Sequence, residues 1–277
     1  MSRSSISLQA LAVAATLAAL VLPSHADSTC AAGKTLKEGA LSIGTGEPAY
    51  FPWVIDNKPE SGKGFEAAVA MEVATRLGFA ADKVTWIRTT FDQAIQPGAK
   101  DFDFNIQQYS ITPERAKMID FSDAYYKPAQ AVVVRKAAVE AGAKPTMESL
   151  KTLKWGGADG TTAPELIKTL VAPKEPALLY NDLADSVAAL KAGQIDAIMQ
   201  DLPTALYTSA VDLEDGVVLG QFDHSGDASD GLGMVFEKGN ALRGCVNDAL
   251  KAMQTDGKLQ AFEAEWLQQA TGAPLIK

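Results

Sequence analysis

Short runs of β-forming residues alternate with stretches of helical periodicity along this chain, and the alternation runs through twice. Residues 41–44 read as a strand. Residues 64–77 follow with Phe65, Val69, Val73 and Leu77 at helical spacing, closed by Gly78. Residues 84–87 and 102–106 read as strands, and residues 91–95 and 112–118 as helices. This order implies a sheet flanked by helices. A second pass begins with β-formers at 131–134. It continues through helices at 147–153, 164–171 and 183–191, with extended stretches at 154–156, 177–180 and 195–199.

The two passes share a detail. A short helix precedes Asp103-Phe104-Asn105-Ile106, and another precedes Asp196-Ala197-Ile198-Met199; each strand leads into a polar segment, residues 107–112 or 200–201. The expected fold is therefore α/β with two similar lobes, each a sheet flanked by helices. A strand at 231–236 and helices at 240–253 and 259–267 come last. Adding them to the second lobe would unbalance the pair, so the expectation returns them to the first. Residues 27–129 and 227–277 then make lobe 1, and residues 130–226 make lobe 2. The chain would cross near residues 127–130 and 226–230, a paired crossover suited to a two-strand hinge.

The N-terminus carries its own signal. Arg3 precedes an apolar stretch over residues 6–22, Pro23 breaks it, and Ser24-His25-Ala26 ends in a small-x-small pattern. Residues 1–26 are expected to be a signal peptide cleaved after Ala26. A membrane anchor is the alternative, but the stretch is short for a span. Asp27-Ser28-Thr29 before Cys30 is not a lipobox, so a soluble periplasmic product is expected. Loss of Arg3 takes the formal charge from −9 to −10. Such an acidic chain, without a basic run, is a poor partner for nucleic acid or an anionic membrane.

Cys30 and Cys245 are the only cysteines. In an oxidising compartment they read as one disulfide between the N-terminus and a C-terminal helix, with two free thiols as the alternative. With His224 the sole histidine after the leader, no metal site is expected, and no cofactor.

Two helix starts carry polar chemistry. Thr112 is a good N-cap before Pro113 in Ser110-Ile111-Thr112-Pro113-Glu114-Arg115. In Gly160-Thr161-Thr162-Ala163-Pro164-Glu165, Thr162 and Glu165 have the spacing of a capping box. Helix starts offer N–H groups and a positive dipole end to anions, and Arg115 adds a planar fork for a carboxylate.

The ordered motifs resemble a known family. Gly44-Thr45, Tyr50-Phe51-Pro52-Trp53 and Lys63-Gly64-Phe65-Glu66 come first, then the Ser110–Arg115 segment with Ile119-Asp120-Phe121-Ser122-Asp123 and Tyr125-Tyr126. Gly160-Thr161-Thr162, Gly193-Gln194-Ile195-Asp196-Ala197 with Asp201, and Asp256-Gly257-Lys258 through Trp266 complete the set. Together they are similar to the polar amino-acid branch of periplasmic solute-binding proteins, family 3. The resemblance implies a monomeric binder of a small polar amino acid that serves the membrane permease of an ABC importer. It implies that Arg115 and the N–H groups of Ser110 and Thr162 hold the ligand carboxylate. The Ser110 hydroxyl and Asp201 would take the ammonium, while Tyr50 and Phe91 pack on the side chain and Glu47 lies near it. With Gln108, Thr112 and Thr161, these form the candidate ligand-binding set.

Gln107, Gln108 and Tyr109 stand where many relatives have small residues, so a glutamine is expected to reshape the side-chain pocket. The rival reading is an enzyme on the same scaffold, similar to cyclohexadienyl dehydratase. No Ser–His or Cys–His pair supports hydrolysis, and no catalytic residue is expected.

Overall fold

The computed structural model describes residues 30–223, 231–267 and 273–277. The expected leader, its cleavage site, His224 and the crossover at 226–230 lie outside them. Two five-stranded mixed sheets form the frame. The first contains β1 (Leu41–Gly46), β2 (Val84–Thr89), β3 (Phe104–Asn105) and β4 (Asp120–Phe121). The second contains β5 (Gln130–Arg135), β6 (Trp155–Ala158), β7 (Leu178–Tyr180), β8 (Ala197–Asp201) and β9 (Gly216–Gln221). The last strand, β10 (Val235–Phe236), goes back to the first sheet and runs antiparallel between β3 and β4. In the second sheet β5 runs antiparallel between β8 and β9, and β6 lies parallel to β7 and β8.

Helices cover these sheets. The first half contributes α1 (Phe65–Arg76), α2 (Phe91–Ile95) and α3 (Pro113–Ala116). The middle contributes α4 (Lys136–Glu140), α5 (Met147–Leu150), α6 (Ala163–Leu166), α7 (Leu183–Lys191) and α8 (Leu202–Tyr207). Last come α9 (Leu242–Thr255) and α10 (Lys258–Trp266).

The helical spacing in α1 puts Phe65, Val69 and Val73 onto Leu41, Ile43 and Phe104 of the first sheet, and Val246 and Leu250 of α9 join the same core. Gly64 starts α1 at φ +101°, where a Cβ would come within 2.5 Å of the Trp53 carbonyl oxygen; only glycine fits there. Cys30 and Cys245 form a disulfide that ties the N-terminal segment to α9. The second lobe has separate cores on its two sheet faces: Val132, Ala197 and Met199 pack on one, and Val133, Ile198 and Leu190 on the other.

Several local expectations are corrected. Thr162 adopts helical angles (φ −79°, ψ −16°) and makes no side-chain cap, so its capping box with Glu165 does not form. A cap must be extended for its hydroxyl to reach back to the third N–H. Thr90 and Gln93 form a complete capping box instead, at the start of α2. Residues 200–201 end β8 rather than follow it. The expectation also gave residues 227–277 to the first lobe as a block. The final residues instead lie along β9: Gln221 N donates to Pro274 O and Ile276 N to Gln221 O, both at 2.9 Å, and Ile276 packs into a second-lobe core.

Candidate functional site

A cleft of about 410 Å³ lies between the sheets, a size suited to a small ligand. Nine of the ten candidate ligand-binding residues line it: Glu47, Tyr50, Phe91, Gln108, Ser110, Arg115, Thr161, Thr162 and Asp201. Thr112 does not. Its hydroxyl accepts the Arg115 N–H at 3.3 Å and caps α3, which fixes where Arg115 leaves the helix.

Arg115 is the half-buried cation of this wall. Its Nη1 donates to the Ser110 carbonyl oxygen at 3.0 Å, and its Nη2 crosses to that of Gly160 at 2.8 Å. The guanidinium carbon lies 5.3 Å from the centre of the Phe91 ring, which stacks in turn on buried Tyr109. Burial lowers the guanidinium pKa while the nearby Tyr109 and Asp92 raise it; arginine stays charged regardless. Gly160 has φ +73°, and an added Cβ would strike the Asp92 carboxylate. Any other residue there would have to displace the Asp92 side chain and adopt a left-handed backbone conformation.

The lobes touch at other points. Ser110 Oγ lies 3.4 Å from Thr162 Oγ1, and buried Trp53 donates from Nε1 to Thr204 Oγ1 at 2.8 Å. Phe51 stacks on Tyr207 with centroids 5.0 Å apart. Opposite Arg115, half-buried Asp201 ends β8 and accepts from Gln130 Nε2 at 2.6 Å. The cleft thus holds a fixed cation on one lobe and a held carboxylate on the other. The Thr161 hydroxyl donates to the Ala158 carbonyl oxygen at 2.7 Å.

Glu47 sits at the exposed rim, where its carboxylate accepts from Arg88 Nε at 2.6 Å and Asn57 Nδ2 at 3.1 Å. The Arg88 hydrogen bond holds its pKa below the usual range. Gln107 accepts the Tyr109 hydroxyl at 2.8 Å. Gln108, at φ +50°, donates from its backbone N–H (2.8 Å) and its amide Nε2 to Glu66. The Tyr125 hydroxyl donates to the same carboxylate. Burial pushes the Glu66 carboxyl up to about 7, against these hydrogen bonds. Tyr50 has its hydroxyl pushed up to about 12 by burial and the charges of Asp182 and Asp212.

Sequence reasoning missed Glu66 as the support beneath Gln108, Gln130 as the partner of Asp201, and Gln200, which also lines the cleft. The Gln200-Asp201 polar pair at the end of an apolar strand was the available signal. A larger groove of about 650 Å³ lies beyond Tyr50, between residues 48–57 and helices α7 and α8, but Arg115 and Asp201 do not line it.

Residues 41–269 match the model for bacterial extracellular solute-binding proteins, family 3. The chain belongs to that family. The L-cystine-binding protein TcyJ of Escherichia coli (strain K12) is 30% identical over 235 residues, covering 84% of each chain. A solved ancestral arginine-binding protein bound to arginine superposes with a TM-score of 0.66 at 29% identity, covering 83% of this chain and 99% of that one. An ancestral amino acid-binding protein described as a precursor of cyclohexadienyl dehydratase gives 0.65 at 30%, covering 82% and 95%. Among the described residues of this family 3 protein, no helix is long and apolar enough to cross a membrane.

Proposed function

We propose that this chain is the periplasmic substrate-binding component of an ABC importer for a polar L-amino acid, exported by a leader removed after Ala26. The observation that carries the reading is the pairing of Arg115 with Asp201 across one cleft of amino-acid size. A zwitterion leaving water needs both charges met by partners of opposite sign. Arg115, with the N–H groups of Ser110 and Thr162, takes the α-carboxylate. Asp201 and the Ser110 hydroxyl take the α-ammonium, and Tyr50 and Phe91 flank the side chain. Because these groups sit on both lobes, bound amino acid favours the closed arrangement, whose changed surface the membrane permease recognises. The named ligands of the relatives, cystine and arginine, support an amino-acid ligand.

A thermal-shift screen across the standard amino acids, cystine and ornithine, followed by calorimetry of the hits, tests this directly. Saturable stabilisation by at least one amino acid is expected; none at millimolar concentration overturns the proposal. The hit should also be recovered chemically unchanged after incubation, whereas turnover would assign the cleft to an enzyme.

A further inference from the structure

Trp53 belongs to the first lobe and Thr204 to the second, and the 2.8 Å hydrogen bond between them is buried. Each end is fixed to its own lobe. The Glu66 and Ala67 N–H groups at the start of α1 donate to the Trp53 carbonyl oxygen at 3.0 and 3.3 Å, and the rings of Phe65 and Tyr126 pack edge-on against the indole. Thr204 lies in the first turn of α8, whose Leu202 and Ala205 are buried in a second-lobe core with Val133 and Ile198. Asp201 is the N-cap of the same helix. One turn on, Tyr207 meets Phe51 with ring centroids 5.0 Å apart. Residues three apart share a helix face, so Thr204 and Tyr207 present one surface to the 51–53 segment. Neither Phe51 nor Trp53 lines the ligand cleft.

We propose that the 51–53 segment clasps α8, so that Trp53 and Phe51 hold part of the unliganded population closed and position Asp201 for a ligand that neither of them touches. The gain in affinity rests on the amino-acid reading above; the closure does not. Both contacts form without a ligand and both join the lobes. Opening the cleft separates the two surfaces, so the contacts favour the closed arrangement alone. A ligand that binds that arrangement finds more of it already formed, and its apparent affinity rises with that population. Trp53 adds placement. Its N–H holds the third residue of the helix that Asp201 begins, and so fixes where Asp201 stands relative to Arg115 across the cleft. One neutral hydrogen bond and one aromatic pair are contacts of modest strength, so the clasp biases the lobes toward closure without locking them.

Small-angle scattering of the unliganded protein tests the closure with no ligand at all. Trp53→Phe, which keeps an aromatic ring and removes the N–H, and Phe51→Ala should each give a larger radius of gyration than the wild type. The double variant should be larger still. Equal radii in all four proteins overturn the clasp, because the contacts would then survive opening or contribute nothing. Phe51 is 40% exposed, so its variant tests the clasp even if Trp53→Phe does not fold. Calorimetry with the amino acid that most stabilises the wild type in the thermal-shift screen should find about fivefold weaker binding in each single variant. Wild-type affinity in both overturns the link to binding. Thr204 itself lines the cleft, so a double-mutant cycle separates its contact with Trp53 from any contact with ligand. Thr204→Val should weaken binding as Trp53→Phe does, Thr204→Ser should keep wild-type affinity, and adding Trp53→Phe to Thr204→Val should cost less than about twofold more. Fully additive losses overturn the positioning role. If no amino acid binds, the amino-acid reading fails by itself, and the scattering still decides the clasp.

Discussion

The Nη2 atom of Arg115, on the first lobe, donates to the carbonyl oxygen of Gly160, on the second, at 2.8 Å. The residue proposed to hold the ligand carboxylate is thus also a direct link between the lobes. Arg115→Ala should weaken amino-acid binding about a hundredfold, or about 3 kcal/mol, because it leaves a buried carboxylate without its charged partner. Titration calorimetry measures this. Wild-type affinity in the variant would remove Arg115 from the site.

Asp201 offers the complementary test. Asp201→Ala should weaken binding and leave residual ligand held mainly by first-lobe groups, with less closure. Small-angle scattering with and without saturating amino acid should show compaction in the wild type and less in the variant. Equal compaction of both would mean that Asp201 does not bridge the lobes.

Glu66 sets a pH dependence. Burial raises its carboxyl to about 7 in the folded protein, from an ordinary value of 4.5. The folded state therefore holds this proton more tightly than the unfolded chain does. Its contribution to stability is fully present below pH 4.5, falls as the pH rises to about 7, and is flat above that. The change is about 3 kcal/mol. Glu66→Gln should flatten that part of the profile in urea titrations between pH 4.5 and 7.5. An unchanged slope would show that Glu66 does not titrate there.

The disulfide should matter to stability and not to binding, since neither cysteine lines the cleft. Replacing Cys30 and Cys245 by alanine should cost about 2–4 kcal/mol. Denaturant titration reads the loss, while calorimetry should find ligand affinity unaltered. A large affinity loss in the folded variant would contradict this separation.

Short-range rules made much of the frame legible. The spacing of Phe65, Val69 and Val73 specifies the buried face of α1, and Thr112 with Pro113 marks the start of α3. The cysteine pair, read in the oxidising compartment that the leader pattern predicts, pointed to the bridge that forms. Four elements escaped this reading: β4, α4, α8 and β9. The two-residue β4 is held by β10, more than a hundred residues later, rather than by local propensity. α8 was obscured by Pro203 near its start, where proline is tolerated because the first N–H groups have no helical partner.

The site divides in the same way. At the level of sequence, the resemblance of the ordered motifs to family 3 was enough to nominate Arg115 and Asp201 as the groups that would meet a zwitterion. Only the tertiary structure decided which polar groups are occupied by the protein itself. Thr112 spends its hydroxyl on a helix cap, Glu47 is matched by Arg88, and Gln108 is bound to Glu66, whereas the Gln200 amide is buried without a partner. The reason is physical. Propensity and periodicity act over a few neighbouring residues, but burial and hydrogen-bond pairing depend on groups brought together from distant parts of the chain. Tyr125 reaches Glu66 across 59 residues, and Trp53 reaches Thr204 across 151.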